Sequence, residues 1–327
     1  YFLRKINMLV PIFELFYEKK NITRDVAPYV TSIEYTDVEH GESDELVITF
    51  EDAEKIWQGA WIPTKGDALR AYIGYEAEKL LNCGVFEIDE LEYDTPPDTI
   101  TVKGLATGIK KPLRQKNSVG YENKTLKQIA KEIADKHGYT LVGEIADVRV
   151  DRITQNQERD LSFLTKLAEQ YGYIFKIAEN NLVFYDVQKL KGSKSTQIFY
   201  KQDLIHINLR EKTSQKYKAV QLSYFDPKKK KTVKATARNE NVAKGDTLKI
   251  TARCSDRKQA IVKAKAALGT ADDKIEGSLE FIGNPYLIAG TNIELKGIGH
   301  FSGKYHIKQA RHVYDRSNGY KTYCILH

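Results

Sequence analysis

The chain has 327 residues and a mass of 37.3 kDa, enough for two or three ordinary domains that each bury a core of their own. Apolar residues make up 41% of the chain and aromatic residues 10%, with 8 prolines, which excludes a disulfide-stapled miniprotein and does not fit a disordered chain. The 51 Lys and Arg exceed the 44 Asp and Glu to give a net charge of +7, but much of the excess lies in one short segment. A broad basic face of the kind that duplex-binding proteins carry is therefore not predicted.

Three widely spaced cysteines form no CxxC pair: Cys83, Cys254 and Cys324. This spacing indicates neither a zinc site nor a redox centre and fits synthesis in a reducing compartment. The longest apolar run, Met8–Tyr17, is shorter than the roughly 18–20 residues of a membrane helix and contains Glu14, so no membrane span is predicted. Met8 is the only methionine, and we expect the natural start there.

Short strands come first along the chain, rich in Val, Ile, Tyr and Phe and separated by Gly, Pro and Asp. They are Val30–Tyr35, Glu45–Glu51, Ala68–Tyr75, Val85–Tyr93 and Thr99–Leu105. Leu46, Ile48 and Phe50 occupy alternate positions, as a half-buried antiparallel strand requires. Residues 8–110 are therefore predicted to form one small antiparallel barrel or sandwich, which we take as a first β-barrel.

Helical patterns follow. Thr125 and Gln128 have the form of a capping box, and apolar residues at helical spacing continue to Gly138. A second helix is predicted to begin with Asp160 as its cap and to stop at Gly172. Two strands come next, so residues 111–200 are predicted to form an α+β domain.

Strands return after residue 200. They are predicted at Leu204–Leu209, Lys218–Phe225, Leu279–Phe281, Asn292–Leu295, Lys304–Ala310 and Tyr320–Leu326. A third capped helix is predicted from about Ser255 to Leu268, before Gly269. Residues 201–327 are thus predicted to be a second β-barrel with a small helical insertion at about 226–270. The predicted fold class is α+β, mainly β.

The two β regions share a sequence pattern. Gly84-Val-Phe-Glu-Ile88 and Gly303-Lys-Tyr-His-Ile307 both read Gly-x-aromatic-x-Ile. A proline and then a glycine precede each copy: Pro63 and Gly66 in the first, Pro285 and Gly290 in the second. We predict two related barrels in which Phe86 aligns with Tyr305.

Further motifs follow one another in order along the chain. They are Gly41-x-Ser-Asp44 leading to Val47-Ile-Thr-Phe-Glu-Asp52, Trp57, Trp61-Ile-Pro63 with Lys65-Gly66-Asp67, Gly84-Val-Phe-Glu-Ile-Asp89, Gln155-Asn-Gln-Glu-Arg-Asp160-Leu-Ser-Phe-Leu164, Gly290, Gly303-Lys-Tyr305, His312 and Gly319-Tyr320-Lys-Thr322. This ordered set covers nearly the whole chain. It resembles the baseplate hub proteins related to phage late control protein D.

That resemblance implies a homotrimer with two barrel domains per chain, so that six similar barrels surround a channel and a threefold spike meets a sixfold tube. The implied partners are further copies of the chain, the tail spike, the tail tube or a tube-initiator ring, and the baseplate wedge, with DNA passing through the channel. The implied location is the baseplate of a virion or phage-like particle, after synthesis in the bacterial cytoplasm.

Motifs of the common enzyme classes are absent from the sequence: it contains no GxSxG, HExxH, P-loop or GxGxxG. Glu87, Asp89 and Glu90 could supply a glycosidase pair, but Glu87 and Asp89 lie on one face of a strand, where solvated carboxylates are commoner. We predict no catalytic residue and no cofactor. A peptidoglycan-cleaving hub would be the enzymatic alternative, but the two barrels and the α+β domain account for the residues of this chain.

Histidines recur every six residues at His300, His306 and His312. Six residues of strand span about 20 Å, too far for one ion to bridge, so no metal site is predicted from this spacing. We expect surface or core hydrogen-bonding groups instead. Trp57 and Trp61, at i and i+4, are expected to pack in the core rather than to form an interface hot spot.

Lysines cluster after Asp226-Pro227, a dipeptide that favours turn initiation, so a hairpin tip is predicted. The candidate contact residues are Lys228, Lys229, Lys230, Lys231 and Lys234. They form either a solvated loop or a contact for a polyanion, which is DNA or an acidic face of a partner ring. No series of aromatic residues lies beside them to stack bases. The alternative to a hub is therefore a monomeric or dimeric β-barrel protein that binds polyanions through Lys228–Lys231.

Overall fold

The computed structural model describes residues 9–41, 43–106, 115–178, 180–211, 217–227, 229–240, 242, 245–271 and 275–327. Lys228, the expected start at Met8 and the predicted boundary at 110–111 lie outside these residues. The described α-helices are α1 (Thr23–Val26), α2 (Leu126–His137), α3 (Asp160–Tyr171), α4 (Val187–Gly192) and α5 (Arg257–Ala271). Antiparallel sheets dominate the rest, so the predicted class of α+β, mainly β, is confirmed.

The first β unit contains the strands predicted in the N-terminal part of the chain, together with β1, which the sequence analysis missed. Its strands are β1 (Pro11–Tyr17), β3 (Val30–Val38), β4 (Glu45–Glu51), β5 (Ala68–Tyr75), β6 (Leu81–Asp94) and β7 (Thr99–Ala106), with β2 (Lys20–Asn21) beside β1. They pair in the order β3-β4-β7-β6-β5-β1. Leu46, Ile48 and Phe50 point into its core, as the alternation predicts.

The second β unit has the same strand order. Its strands are β13 (Gln197–Tyr200), β14 (His206–Glu211), β18 (Ile275–Ile282), β19 (Asn292–Lys296), β20 (Gly303–Asp315) and β21 (Gly319–Leu326). They pair in the order β14-β18-β21-β20-β19-β13. If the six main strands of each unit are counted along the chain, leaving out β2, their order in space is the same in both units: second, third, sixth, fifth, fourth and first. They differ in the last pair, because β1 runs antiparallel to β5 whereas β13 runs parallel to β19.

The repeated pattern also occupies the same backbone register in both units. Gly66 N donates to Ile88 O at 2.8 Å, and Gly290 N donates to Ile307 O at 2.8 Å. Gly66 and Gly290 have φ of +97° and +81°, a region that favours glycine, which explains the residue type in each copy.

The two aromatic residues of the pattern are equivalent in their pairing. Phe86 lies opposite Leu69, and Tyr305 lies opposite Ile293, on the strand that precedes each long strand. Both aromatic side chains are buried. A break in register follows the isoleucine in each copy, between Ile88 and Glu90 and between Ile307 and Gln309.

The two units join into one sheet through β3 and β20, which pair antiparallel. In the described part of the chain, no strand pairing closes either unit into a barrel, so barrel closure remains a proposal. Each unit has a core of its own, although Tyr320 of the second unit packs into the first.

The middle unit consists of a β-ribbon, a small sheet and the helices α2, α3 and α4. Its strands are β8 (Lys116–Thr125), β9 (Thr140–Val142), β10 (Arg149–Arg159), β11 (Tyr173–Ala178) and β12 (Asn181–Asp186). The capping box is confirmed, since Thr125 Oγ1 accepts from Gln128 N and Gln128 Oε1 accepts from Thr125 N. Gly138 and Gly172 end their helices in the left-handed conformation, as predicted.

Asp160 is not a helix cap, so that prediction is wrong. Arg159 is the capping residue, and Asp160 is the first residue of α3, only 1% exposed. Its carboxylate accepts from Lys136, His137 and Gln155 at 2.8, 2.7 and 2.7 Å. Burial opposes ionisation, but these hydrogen bonds outweigh it and hold the pKa of Asp160 below its ordinary value.

The insertion differs from the prediction in content and in docking. It is a sheet of β15 (Tyr217–Asp226), β16 (Lys231–Arg238) and β17 (Asp246–Thr251), covered by α5. The strand predicted at Lys218–Phe225 is therefore part of the insertion and not of the second unit. The helix continues past Gly269, where a Cβ would lie 2.3 Å from Gln188 Nε2.

The insertion contacts the middle unit through α5 and α3. Gln259 Nε2 donates to the Tyr171 hydroxyl at 2.6 Å, and Lys263 Nζ lies 5.1 Å from the centre of the Tyr171 ring. Burial lowers the pKa of Lys263 and raises that of Tyr171 to about 12. The insertion therefore interrupts the second β unit in sequence, but it packs against the middle unit.

Candidate contact surface

The lysine segment forms the predicted hairpin between β15 and β16, in which Asp226 pairs with Lys231. Asp226 Oδ1 accepts from the backbone N of Lys229 at 3.1 Å, and Lys229 Nζ lies 3.4 Å from Asp226 Oδ2. Lys230 adopts a φ of +48° in the turn. Aspartate at this position closes the turn through its side chain, which accounts for the Asp-Pro start.

The sheet behind the hairpin has one covered face and one open face. Val220, Leu222, Ala235 and Ala237 are buried on the side that packs against α5. Strand alternation then turns the neighbouring residues toward solvent. We call this open face, together with Lys229, Lys230 and Lys231 of the hairpin, the basic sheet face. Lys231 pairs with Asp226 and therefore lies on the covered side of the strands.

The basic sheet face carries more positive charge than the lysine segment alone supplies. Lys234, Arg238 and Lys249 point outward and are exposed. The cross-strand neighbours are uncharged: Ser223 lies between Lys234 and Thr251, and Gln221 lies between Thr236 and Lys249. No described residue on the open face of the three strands is acidic, whereas Asp226 at the hairpin pairs with Lys229.

This geometry suits a broad, negatively charged partner. Exposed lysines act as point charges that attract phosphates or carboxylates, and salt screens that attraction. Phe225, 62% exposed, is the one aromatic side chain that the described part of this face presents, and a lone ring does not make a base-stacking series. Sequence reasoning missed Arg238 because it follows the lysine cluster at strand spacing, and it missed Lys249 because that residue lies on another strand which only the fold brings alongside.

Trp57 and Trp61 divide between core and surface. Trp57 is 5% exposed and stacks on Phe50 with ring centroids 3.9 Å apart, as predicted. Trp61 is 41% exposed and packs edge-on against Trp57, so core packing is wrong for this residue. Trp61 contributes one exposed aromatic ring beside Ile62, which is also exposed.

The three histidines have different surroundings. His300 is on the surface with its Nε2 2.8 Å from Glu211 Oε2. His306 and His312 are buried and hydrogen-bonded. The expectation of surface or core hydrogen-bonding groups is therefore confirmed for all three.

The carboxylates considered for catalysis do not meet in a buried site. Asp89 and Glu90 are both exposed beside the register break in β6. Glu90 Oε1 lies 3.3 Å from Lys103 Nζ, a surface ion pair. Solvated carboxylates are what the sequence predicts here.

A buried ion cluster that the sequence did not reveal lies where the three units meet. Lys176 Nζ of β11 lies 2.6 Å from Asp37 Oδ1 of β3 and 3.0 Å from Asp44 Oδ1. Ala289 N of the second unit donates to Asp37 Oδ2 at 2.8 Å. Burial, and then the charge of Asp37, raise the pKa of Asp44 to about 6, while Lys176 opposes that rise.

The family model described as the Alg8 N-terminal domain matches residues 61–315, well over half of the chain. The chain belongs to the Alg8 N-terminal domain family. The match runs from Trp61 in the first β unit to the end of β20 in the second, and so includes the middle unit and the insertion.

Curated relatives of this Alg8 N-terminal domain chain are phage proteins. It is 29% identical over 178 residues to the "Probable baseplate hub protein" of Escherichia phage P2, and 27% identical over 178 residues to the protein of that name in Escherichia phage 186. Each match covers 54% of this chain and 45% of the relative, so the chain aligns with less than half of their length. The resemblance to baseplate hub proteins is confirmed by these relatives.

Solved structures share the fold of this Alg8 N-terminal domain chain. A tail protein from Neisseria meningitidis MC58 superposes with a TM-score of 0.72 at 10% identity, covering 97% of this chain and 96% of that one. The 43 kDa tail protein of prophage MuSo2 from Shewanella oneidensis gives a TM-score of 0.71 at 16% identity, covering 97% and 98%. None of the helices in the described residues has the length and apolar character needed to cross a membrane.

Proposed function

We propose that this chain is the structural hub of a contractile-tail baseplate, in a virion or phage-like particle, and that it catalyses no reaction. Three copies surround a channel and join a threefold spike to a sixfold tail tube or tube-initiator ring, with baseplate wedges outside. The observation that carries the proposal is the strand order shared by the two β units. Three chains with two such units each present six similar units, which lets a threefold assembly meet a sixfold ring.

The proposal assigns each part of the chain a place. Residues 8–110 and 201–327 form the two barrel domains, residues 111–200 form the α+β domain, and the insertion lies on the α+β domain. The names of the phage P2 and phage 186 relatives support the baseplate role. Synthesis takes place in the bacterial cytoplasm, before assembly into the particle.

Mixing the chain with the spike protein encoded nearby is expected to give a complex of three chains and three spike subunits. Contacts that hold a closed ring bury about 1,600 Å² or more each, and the spike adds to trimer stability by mass action. Native mass spectrometry and light scattering measure the stoichiometry. A chain that stays monomeric with both spike and tube protein would contradict the proposal.

A second candidate function rests on the excess of basic over acidic side chains in the described part of the basic sheet face. We propose that this face contacts a polyanion, either DNA in the channel or an acidic surface of a neighbouring ring. The side chains that carry the contact are Lys228, Lys229, Lys230, Lys231 and Lys234, with Arg238 and Lys249 behind them.

Changing Lys229, Lys230, Lys231 and Lys234 together to Ser is expected to weaken binding to a short DNA duplex. The slope of log K against log salt should become shallower by about 0.9 for each DNA phosphate that the variant no longer neutralises, while each exposed substitution changes folding by less than about 0.5 kcal/mol. Fluorescence anisotropy across a salt series measures the slope. Lys127 and Lys131, exposed on α2, provide the matched control when changed to Ser. Unchanged affinity in the hairpin variant would make the segment a solvated loop.

A further inference from the structure

Two histidines and a glutamate meet at the junction of the two β units. Glu39 follows β3 of the first unit, and His306 and His327 come from β20 and the end of the second unit. One ligand atom from each lies within 4.8 Å of the others. In the described part of the chain, no other group of three His, Cys, Asp or Glu side chains comes together in this way.

The protonation of His306 follows from its neighbour Asn292. The Asn292 Nδ2 atom lies 2.8 Å from Leu190 O and 3.0 Å from Ser193 O, and carbonyl oxygens only accept, so this atom is the donating nitrogen. The Asn292 Oδ1 atom is therefore an acceptor, and His306 Nδ1, 2.7 Å away, must donate its proton to it. This assignment leaves His306 Nε2 as the nitrogen that faces Glu39.

A neutral His306 would direct its Nε2 lone pair at the carboxylate of Glu39, with which it is in close contact. Two centres of negative charge do not approach in a buried site unless a positive charge lies between them. That charge is either a proton shared between His306 and Glu39 or a metal ion. The first alternative involves only two of the three residues that meet here, whereas an ion can contact all three.

His327 is held beside the same carboxylate. Its backbone N and O pair with His306 at 3.1 Å, and the two rings stack with centroids 5.3 Å apart. His327 Nε2 lies 4.0 Å from Glu39 Oε2. Glu39 N in turn donates to Lys308 O at 3.1 Å, which fixes the glutamate to β20.

We infer that Glu39, His306 and His327 bind a divalent transition-metal ion of the Zn²⁺ class. Imidazole and carboxylate suit Zn²⁺, which takes them at about 2.0–2.2 Å, so small side-chain rotations suffice to bring the three ligand atoms around one ion. The hydrogen bond from His306 Nδ1 to Asn292 is the outer support that metal-bound histidines need. The ion links the first β unit to the second, and Asn292 extends the link to Leu190 and Ser193.

Zn²⁺ is titrated into the metal-stripped full chain by calorimetry, and Co²⁺ is added in parallel for its ligand-field absorption. The expected result is saturation at one ion per chain and a higher melting temperature. The absorption spectrum of bound Co²⁺ should be the intense one of a four- or five-coordinate ion. Glu39→Gln and His327→Ala should each weaken binding more than about 100-fold, since loss of an outer partner alone costs 10- to 100-fold. His300→Ala, at an exposed histidine, is the matched control and should bind as the unaltered chain does.

Circular dichroism and the melting temperature without metal show that each variant is folded before its affinity is compared. His327→Ala keeps its backbone pairing with His306 and is the variant least exposed to a folding defect. Failure of the unaltered chain to bind one ion would overturn the inference and leave His306 and Glu39 as a buried ion pair. Equal binding by the folded Glu39→Gln and His327→Ala variants would overturn it as well.

Discussion

Replacing Lys176 by Met is expected to lower the free energy of unfolding by about 3 kcal/mol at neutral pH. The change leaves Asp37 and Asp44 as two carboxylates without their shared cation, and breaking a buried pair costs about 3–5 kcal/mol. The lower end applies because 22% of the lysine side chain is exposed. Chemical unfolding at several pH values measures the loss.

The loss in the Lys176→Met variant should shrink in acid. The folded-state pKa of Asp44 is about 6, above its ordinary value of 3.8, and removing Lys176 removes a group that lowers it. The folded variant then binds the proton more tightly than the folded unaltered chain does. Part of the loss is therefore recovered as the pH falls from 7 toward about 6, where Asp44 of the unaltered chain takes up the same proton.

Two further variants isolate the cause of the loss. Adding Asp44→Asn to the Lys176→Met variant should restore part of the stability, because it removes one of the two unpaired charges. Lys131→Met, which breaks the exposed pair with Asp135, should cost less than about 0.5 kcal/mol. A Lys176→Met variant as stable as the unaltered chain at pH 7 would contradict the argument.

Keeping His312 neutral in the folded chain is expected to cost about 3 kcal/mol of stability as the pH falls from 6.5 to 4. Burial lowers the pKa of this histidine to about 4, partly opposed by a hydrogen bond to Leu287 and by the charge of Asp37. Each pKa unit corresponds to about 1.4 kcal/mol. Between the two pKa values the unfolded chain binds a proton that the folded chain does not, so stability is present above pH 6.5 and is lost toward pH 4.

The hydrogen bonds of His312 give one nitrogen an acceptor and the other a donor, as a neutral ring requires. Nε2 donates to Leu287 O at 2.9 Å, which leaves Nδ1 to accept from the Tyr320 hydroxyl at 2.7 Å. A proton on Nδ1 would require the Tyr320 hydroxyl to turn and accept instead of donating. His312→Gln can keep one donor and one acceptor but does not titrate. The free energy of unfolding of this variant should therefore fall less steeply between pH 6.5 and 4, with a slope smaller by the equivalent of up to one bound proton.

Exposed His300 supplies the comparison for that experiment. A His300→Gln variant should follow the pH profile of the unaltered chain closely, because solvent screens its interaction with Glu211. Urea unfolding at a series of pH values gives the slope of the unfolding free energy against pH for each variant and for the unaltered chain. If the His312→Gln variant and the unaltered chain had the same slope, His312 would not be held neutral by burial.

The sequence was sufficient where the chain signals structure locally. The Thr125 capping box depends on two residues three apart, and Gly66 and Gly290 are required by a positive φ, so residue type alone reports the geometry. The Gly-x-aromatic-x-Ile pattern predicted that the two β units are related, but it did not predict the strand order that they share. The reversed direction of β13 had no signal, because the pattern does not extend to that strand.

Long-range contacts decided what the sequence could not. Asp160 has the residue type of a cap, but its carboxylate is turned inward by Lys136, His137 and Gln155, which belong to other elements. The metal-ligand geometry was likewise invisible, since Glu39 is 267 residues from His306. The spacing of His306 and His312 along one strand excludes an ion between these two residues, but it says nothing about a carboxylate that comes from the other unit.

The pairing of β3 with β20 determines how force passes between the two β units. Seven residue pairs join these strands, from Gln309 and Val38 to Asp315 and Ser32. Antiparallel hydrogen bonds lie perpendicular to the strands, so tension along the strand axis loads all of them together in shear. Tension across the strands would instead peel them apart one at a time. The junction is therefore mechanically anisotropic: it resists sliding of one unit past the other and yields first to their separation.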